Sequence, residues 1–295
     1  MNWLWVIFTV TAAAGQTARN AMQRELTPKL GAAGATHVRF LFGFPFALIF
    51  LATVFAVTGD ALPTPTHDFW LFLLLGALTQ ICGTALMLLT MTMRSFVVTT
   101  AYLKTEPLQV AAFGLVLLGD ALKLPTVAAI LIATSGVMLI SYAPGGFRGG
   151  VKPALLGLAA AAFFALSSVG YRGAVTSLPG SDFVMAATFA LALGLFIQTI
   201  VLSAYLAIRE ASILFAIFKL WRPSMFAGFM GAAASEFWFL AFALATAASV
   251  RTLGLVDVLF AQLATHFVFK QKTSAREIAG ITLVIMGCVL LVWTH

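Results

Sequence analysis

The chain is poor in charge. Of its 295 residues only 9% are Asp, Glu, Lys or Arg, against 61% that are hydrophobic. Soluble globular domains carry about 25% charged residues, so this composition excludes one, and a mean hydropathy of +1.03 leaves an integral membrane protein. Cysteine is almost missing. Cys82 and Cys288 both fall inside apolar runs without metal-ligand spacing, which excludes a disulfide framework and a zinc site and implies no cofactor. Long polar segments are missing too. The longest gap between apolar runs, about 208–222, still holds several apolar residues, so no soluble domain fits. Acidic residues number 10 against 17 basic ones, a net charge of +7. In a soluble chain that excess would suggest nucleic acid. Here the basic residues lie mostly between apolar runs, where they set topology, and a nucleic-acid partner is not expected. No basic segment precedes Trp3, so the first apolar stretch reads as a span rather than a cleaved signal.

With about 20 apolar residues per crossing, the chain divides into ten spans. They are Trp3–Met22, Ala33–Thr58, Phe69–Leu89, Val97–Gly119, Val127–Tyr142, Pro153–Val175, Phe183–Ala207, Pro223–Ala245, Leu253–Phe269 and Ala275–Trp293. The Gly/Pro-rich stretch APGGFRGGVKP lies halfway and divides the chain into 1–143, a linker at 144–152, and 153–295. A shift of 151 residues superposes spans eight to ten on spans three to five. It sets Glu106 on Asp257 and Gly136 on Gly287. An odd number of spans per half makes the second half enter the membrane in the opposite sense. The expected fold is therefore an all-α integral membrane protein, ten transmembrane helices in two inverted five-helix repeats, with the two carboxylates approaching each other near mid-depth.

Ionised groups inside a span are the sharpest functional signal. A charge at the bilayer centre costs at least about 2.5–3.5 kcal/mol, so it faces the bundle interior, pairs, or lines a pathway. The stretch AYLKTEPLQVAAFGLVLLGD sets Lys104, Glu106 and Pro107 in the middle of span four. Lys104 and Glu106 could neutralise each other. Pro107 crowds the carbonyl of Leu103 and should break the helix there as a hinge. A broken helix at mid-depth points to a transporter site; the alternative is a packing kink with one structural ion pair. Gln16, Arg19, Asn20 and Gln23 share one face of span one, either a vestibule or helix-to-helix hydrogen bonding with Arg19 reaching the interface. Arg39 is either an interfacial anchor or an anion ligand. Glu236 is a third deep acid, and Gln262 and His266, four apart, stack on one face of span nine. Tyr102, Tyr171, Phe237, Trp238 and Phe260 offer stacking faces, and Gln80, Gln109, Ser168 and Gln262 offer hydrogen bonds.

Basic residues divide unevenly between loops. Odd-numbered loops hold eleven, among them Arg24, Lys29, Arg148, Lys219 and Lys270; even-numbered loops hold only Lys123 and Arg251. The positive-inside rule then places both termini outside.

The early basic residue within HVRFLFGFPFAL, and the block from LLGALTQICGTALMLLTMTM through LLGDALKLPTVAAILIATSGVMLI, resemble the EamA branch of the drug/metabolite transporter superfamily. The likeness rests on a Gly-containing third span, a central Pro in span four, the turn Gly119–Asp120, and Gly136. The second half departs from that pattern: Lys270 and Gln271 replace the small-acidic pair, and span seven has no counterpart of Arg39. Within the superfamily, QTARNAMQREL followed by GATHVRFLFG most resembles the riboflavin-transporter branch. The resemblance implies alternating access around a central cavity in a bacterial-type inner membrane. It implies a small organic substrate, lipid contact, protons as the candidate coupling ion, and a monomer or weak homodimer. Relatives usually have cytoplasmic termini, opposite to the reading from loop charge. The first expectation is a carrier for a flat, partly aromatic metabolite such as riboflavin, with Glu106 and Asp257 in substrate contact or proton coupling. The alternative is an exporter of amino acids or cationic drugs with the carboxylates as counter-charges. No His-Glu-x-x-His or Gly-x-Ser-x-Gly motif is present, and an enzyme is not expected.

Overall fold

A computed structural model describes residues 3–93, 96–121, 123–141, 151–260 and 275–294. These residues form helices and connecting turns, with no strand among them. That follows from the solvent: in hydrocarbon every backbone N–H and C=O must be satisfied within the segment, and a helix does so. Among the described residues six helices are long and apolar enough to cross a membrane: Met22–Thr58, His67–Met93, Val151–Thr176, Phe183–Arg209, Trp221–Leu244 and Ala275–Thr294. Leu124–Ile140 is shorter but apolar. Threonines inside these helices turn their hydroxyls onto the carbonyl four residues back, as Thr9 does on Trp5 and Thr90 on Leu86, and so need no water.

The first helix, α1 (Leu4–Thr58), departs from the expected loop at 23–32. It stays helical except at Gly31 (φ 67°, ψ 173°), a conformation open to glycine and strained for other residues. Gln23 bridges the bend by donating Nε2 to the Ala35 carbonyl at 3.1 Å. After α2 (His67–Met93), the expected fourth span is two pieces, α3 (Phe96–Leu103) and α4 (Glu106–Leu118), followed by α5 (Leu124–Ser141). Then come α6 (Val151–Thr176) and α7 (Phe183–Arg209). The Asp182 carboxylate caps α7 by accepting from the Val184 N–H at 2.9 Å.

The gap at 208–222 contains a further helix, α8 (Ala211–Lys219). It buries Ile217 and exposes Phe215 and Phe218, with Arg209, Lys219 and Arg222 around it, the pattern of a helix lying in the membrane interface. Beyond α9 (Trp221–Leu244), α10 (Ala247–Leu253) begins six residues before the expected ninth span, because Thr246 caps it by accepting from the Ser249 N–H. Arg251 therefore lies in a helix, not in a loop. The last helix is α11 (Ala275–Thr294).

Four long pairings organise the bundle: α1 along α9 and α7, α2 along α6, and α5 along α11; α4 packs on α6 and α10. Small residues let the backbones close up. A Cβ on Gly170 of α6 would stand 2.6 Å from the Gly76 amide nitrogen and 2.9 Å from the Phe72 carbonyl oxygen of α2. Both obstacles are backbone, so the helices themselves must separate. Gly170→Val is expected to lower stability by about 1–3 kcal/mol, read as a drop in melting temperature in detergent.

At one end of the bundle Arg172 joins three elements. Its Nη1 donates to the carbonyls of Phe242 (2.7 Å) and Ala245, at the carbonyl-exposing end of α9, and its Nε lies 3.4 Å from the Asp120 carboxylate.

Candidate functional site

Both halves of the chain break a helix at comparable places. Between α3 and α4 the chain turns at Lys104 and Thr105, and Glu106 and Pro107 open α4. Proline fits that first turn because its missing N–H would have had no intrahelical partner. The Glu106 carboxylate sits where the helix dipole favours negative charge. In the other half α10 stops at Leu253, and a tight 3-10 turn, Gly254–Val256, leads to Asp257 at the start of the helical stretch 257–260.

The two breaks are tied by crossed ion pairs. Lys104 Nζ donates to both carboxylate oxygens of Asp257, and Arg251 Nη2 donates to Glu106 Oε2 at 2.5 Å. All four residues are largely buried. Lys104 and Glu106 thus do not neutralise each other. Each takes its partner from the other half, because the break points the two side chains toward α10 and the turn after it rather than along their own chain. The carboxylates are not bare groups facing each other either.

Beside these pairs lies a narrow cavity of about 30 Å³ between α1, α2, α6, α9 and α10, level with Gln80 at the midpoint of α2, which a substrate larger than water must widen. The Arg251 guanidinium lies 4.4 Å from the Trp238 ring centroid, a cation–π contact, and Trp238 Nε1 donates to Gln16 Oε1 at 3.1 Å. Ser168 Oγ donates to Glu106 Oε1 at 3.2 Å. Gln198 of α7, outside the cavity lining, donates Nε2 to Gln80 Oε1 (2.9 Å) and to the Tyr171 hydroxyl (2.9 Å), which in turn donates to Gln80 Oε1 (3.2 Å).

Two further arginines line this cavity, Arg19 and Arg39, only 3% and 2% exposed. Arg19 donates Nε and Nη2 to Asn20 Oδ1 at 3.2 and 2.8 Å. Arg39 reaches Thr84 and Ser235 hydroxyls at 3.4 Å each, and its Nε has no hydrogen-bond partner among the described residues. The stems of both converge on Gly231 of α9. A Cβ there would lie 3.2 Å from Arg39 Cγ and 3.4 Å from Arg19 Cδ.

No carboxylate offsets these two charges. The chain has 10 acidic residues, all within the described segments. Glu106, Asp257 and Asp120 are on Arg251, Lys104 and Arg172. Glu25, Asp60, Asp68, Asp182 and Glu210 are exposed, and Glu277 opens α11 at the far end of the chain. Glu236 accepts from Thr188 Oγ1 of α7 at 2.6 Å and does not line the cavity.

Of the residues singled out from sequence, the cavity brings together Gln16, Arg39, Gln80, Ser168, Tyr171 and Trp238. Glu106 stands one layer behind, through Ser168 and Arg251. Lys104 and Asp257 are occupied by each other. Tyr102 is buried against Gly157, Gln109 donates to Thr105 of its own segment at 3.1 Å, and Asn20 holds Arg19 without lining the cavity. Phe237 stacks near Phe8, at 6.1 Å between centroids, also away from the cavity. Gln262 and His266 lie outside the described residues. Arg19 and Arg251 line the cavity and were not among the expected site residues. Arg19 was visible in the polar stripe with Gln16, whereas Arg251 was hidden by its assignment to a loop.

Helices of membrane-crossing length around a buried, charged cavity define a multi-pass membrane protein. Residues 3–142 match the model of the EamA-like transporter family, which suggests a membrane transporter of small molecules. No curated protein matches the sequence. A crystal structure described only as that of a protein superposes with a TM-score of 0.69 over 98% of this chain and 96% of that one, at 14% identity, and so shares the fold.

Proposed function

We propose that the chain is an alternating-access carrier for a small organic anion with a flat or aromatic body. The observation that carries this is the pair Arg19 and Arg39, buried at mid-bundle in a cavity that no acidic side chain lines. Uncompensated charge at that depth is costly, and a bound anion is what would offset it. Trp238, Tyr171, Phe164 and Phe239 supply apolar faces around it. A cation exporter finds less support, since Glu106 and Asp257 already hold cations. Riboflavin fits the aromatic faces but brings no charge for the arginines.

The mechanism we propose rests on ten crossings in two inverted repeats, 1–143 and 153–295. Three features support that reading. The 151-residue shift sets the break at Lys104 and Thr105 on Leu255 and Val256, inside the other break. It also sets Gly136 on Gly287, and these glycines face the reciprocal helices: a Cβ on Gly136 would meet Gly280 O of α11 at 2.6 Å, and one on Gly287 would meet Ala133 N of α5 at 2.7 Å. The α1–α9 and α6–α2 pairings correspond under the same exchange. The ion pairs between the breaks would tie the repeats together in this conformation, and rocking would rearrange them. Loop charge supports an orientation with both termini outside, in a bacterial-type inner membrane.

Purified protein in liposomes should take up labelled benzoate-type carboxylates, and these should raise its melting temperature, because a ligand that binds only the folded state stabilises it. Riboflavin and tetraphenylphosphonium should do neither. Uptake of the cation without the carboxylates would sink the anion reading.

A further inference from the structure

We propose that the substrate carries two negative charges held close together, as a phosphate monoester or a vicinal or meta dicarboxylate does. This rests on the anion reading and goes beyond it by counting charge. Three guanidinium groups line the cavity, and a single carboxylate, that of Glu106, contacts one of them. Lys104 and Asp257 balance each other behind it. Two positive charges therefore remain, on Arg19 and Arg39.

Their placement sets the spacing of the ligand's charges. The stems of both side chains pass over Gly231, within 3.2 and 3.4 Å of where its Cβ would stand, and both residues line the same small cavity, so the two like charges share one site. Such a pair repels itself strongly in a medium of low dielectric. A monoanion would leave one guanidinium bare; a compact dianion satisfies both. Donors are available for it: Arg39 Nε is buried and unpartnered, and the Arg39 contacts to Thr84 and Ser235, at 3.4 Å, are long enough to yield to shorter charge-assisted bonds. Arg251 is a poor third ligand because Glu106 and Trp238 already hold its guanidinium.

The test is a matched pair of probes that differ in one charge at constant size, isophthalate and its monoamide 3-carbamoylbenzoate, with phenyl phosphate as a third ligand. Binding to the purified full chain is measured by calorimetry in detergent, with thermal melting as the check on folding. Isophthalate is expected to bind roughly 10- to 100-fold more tightly than the monoamide, the range of one additional hydrogen-bonded charge. Phenyl phosphate binding more tightly than isophthalate would assign the phosphate monoester, and the reverse order the dicarboxylate. In Arg39→Gln the preference for isophthalate should vanish while monoamide binding persists, and Arg39→Lys should restore much of it. If isophthalate and the monoamide bind wild type within twofold of each other, the two-charge proposal falls and the anion reading stands. If no anion binds to protein that melts normally, both fall.

Discussion

Arg39→Gln is expected to weaken isophthalate binding by one to two orders of magnitude and, in the same protein, to raise the melting temperature. The two effects have one cause. Arg39 is nearly inaccessible to solvent, meets two neutral hydroxyls at 3.4 Å and the Phe40 ring at 5.1 Å from its centroid, and its stem lies beside that of Arg19 over Gly231. In the empty protein its charge is a liability of about 2.5–3.5 kcal/mol on the lenient insertion scale. A glutamine amide can keep Thr84 or Ser235 as a partner without that cost. Once the anion arrives the sign reverses, because a hydrogen bond to a charged group contributes about 1.5–3 kcal/mol. Removing it lowers affinity by one to two orders of magnitude. Melting curves with and without isophthalate read both quantities: the variant should start higher and shift less. A residue that only supported packing would lower the starting point instead.

Asp257→Asn should be among the most damaging single changes in the chain. It leaves Lys104 buried with its counter-charge removed, and breaking a buried pair from one side costs about 3–5 kcal/mol. Lys104→Met should be similarly harmful, through the stranded carboxylate. Combining Lys104→Met with Asp257→Leu removes both charges together, and since apolar replacements of a whole buried pair are often neutral, the double variant should recover most of the loss. Denaturant titrations of wild type, Lys104→Met, Asp257→Leu and the double variant close the cycle. A double variant whose loss equals the sum of the two single losses would mean that the two residues contribute independently, contrary to the geometry.

Much of the bundle was readable because hydrocarbon imposes a simple rule, and His67–Met93, Val151–Thr176 and Phe183–Arg209 lie close to the stretches that hydropathy marks out. The misreadings share a cause as well. Assigning charged residues to loops put Arg24 and Lys29 outside a helix that continues to Gly31, and Arg251 outside α10. Thr246, the cap that starts α10 early, looks in sequence like any other threonine. The site was half visible. Polar groups deep in spans announced Gln16, Gln80, Ser168 and Tyr171, but which charge would meet which could not be read. Lys104 to Asp257 and Arg251 to Glu106 are 153 and 145 residues apart, and pairing at that distance is decided by how helices pack. The emphasis on carboxylates followed from that gap. With their partners known, the uncompensated groups are the arginines.

The bend at Gly31 makes α1 a pair of levers joined at a single residue. A 27-residue arm is about 40 Å long at 1.5 Å per residue, so a 10° change at the pivot sweeps its far tip by about 7 Å. Arg19 and Arg39 sit partway along the two arms, on either side of the pivot. Folding or unfolding that elbow therefore changes the spacing of the two guanidinium groups directly, with no loop between them to absorb the movement.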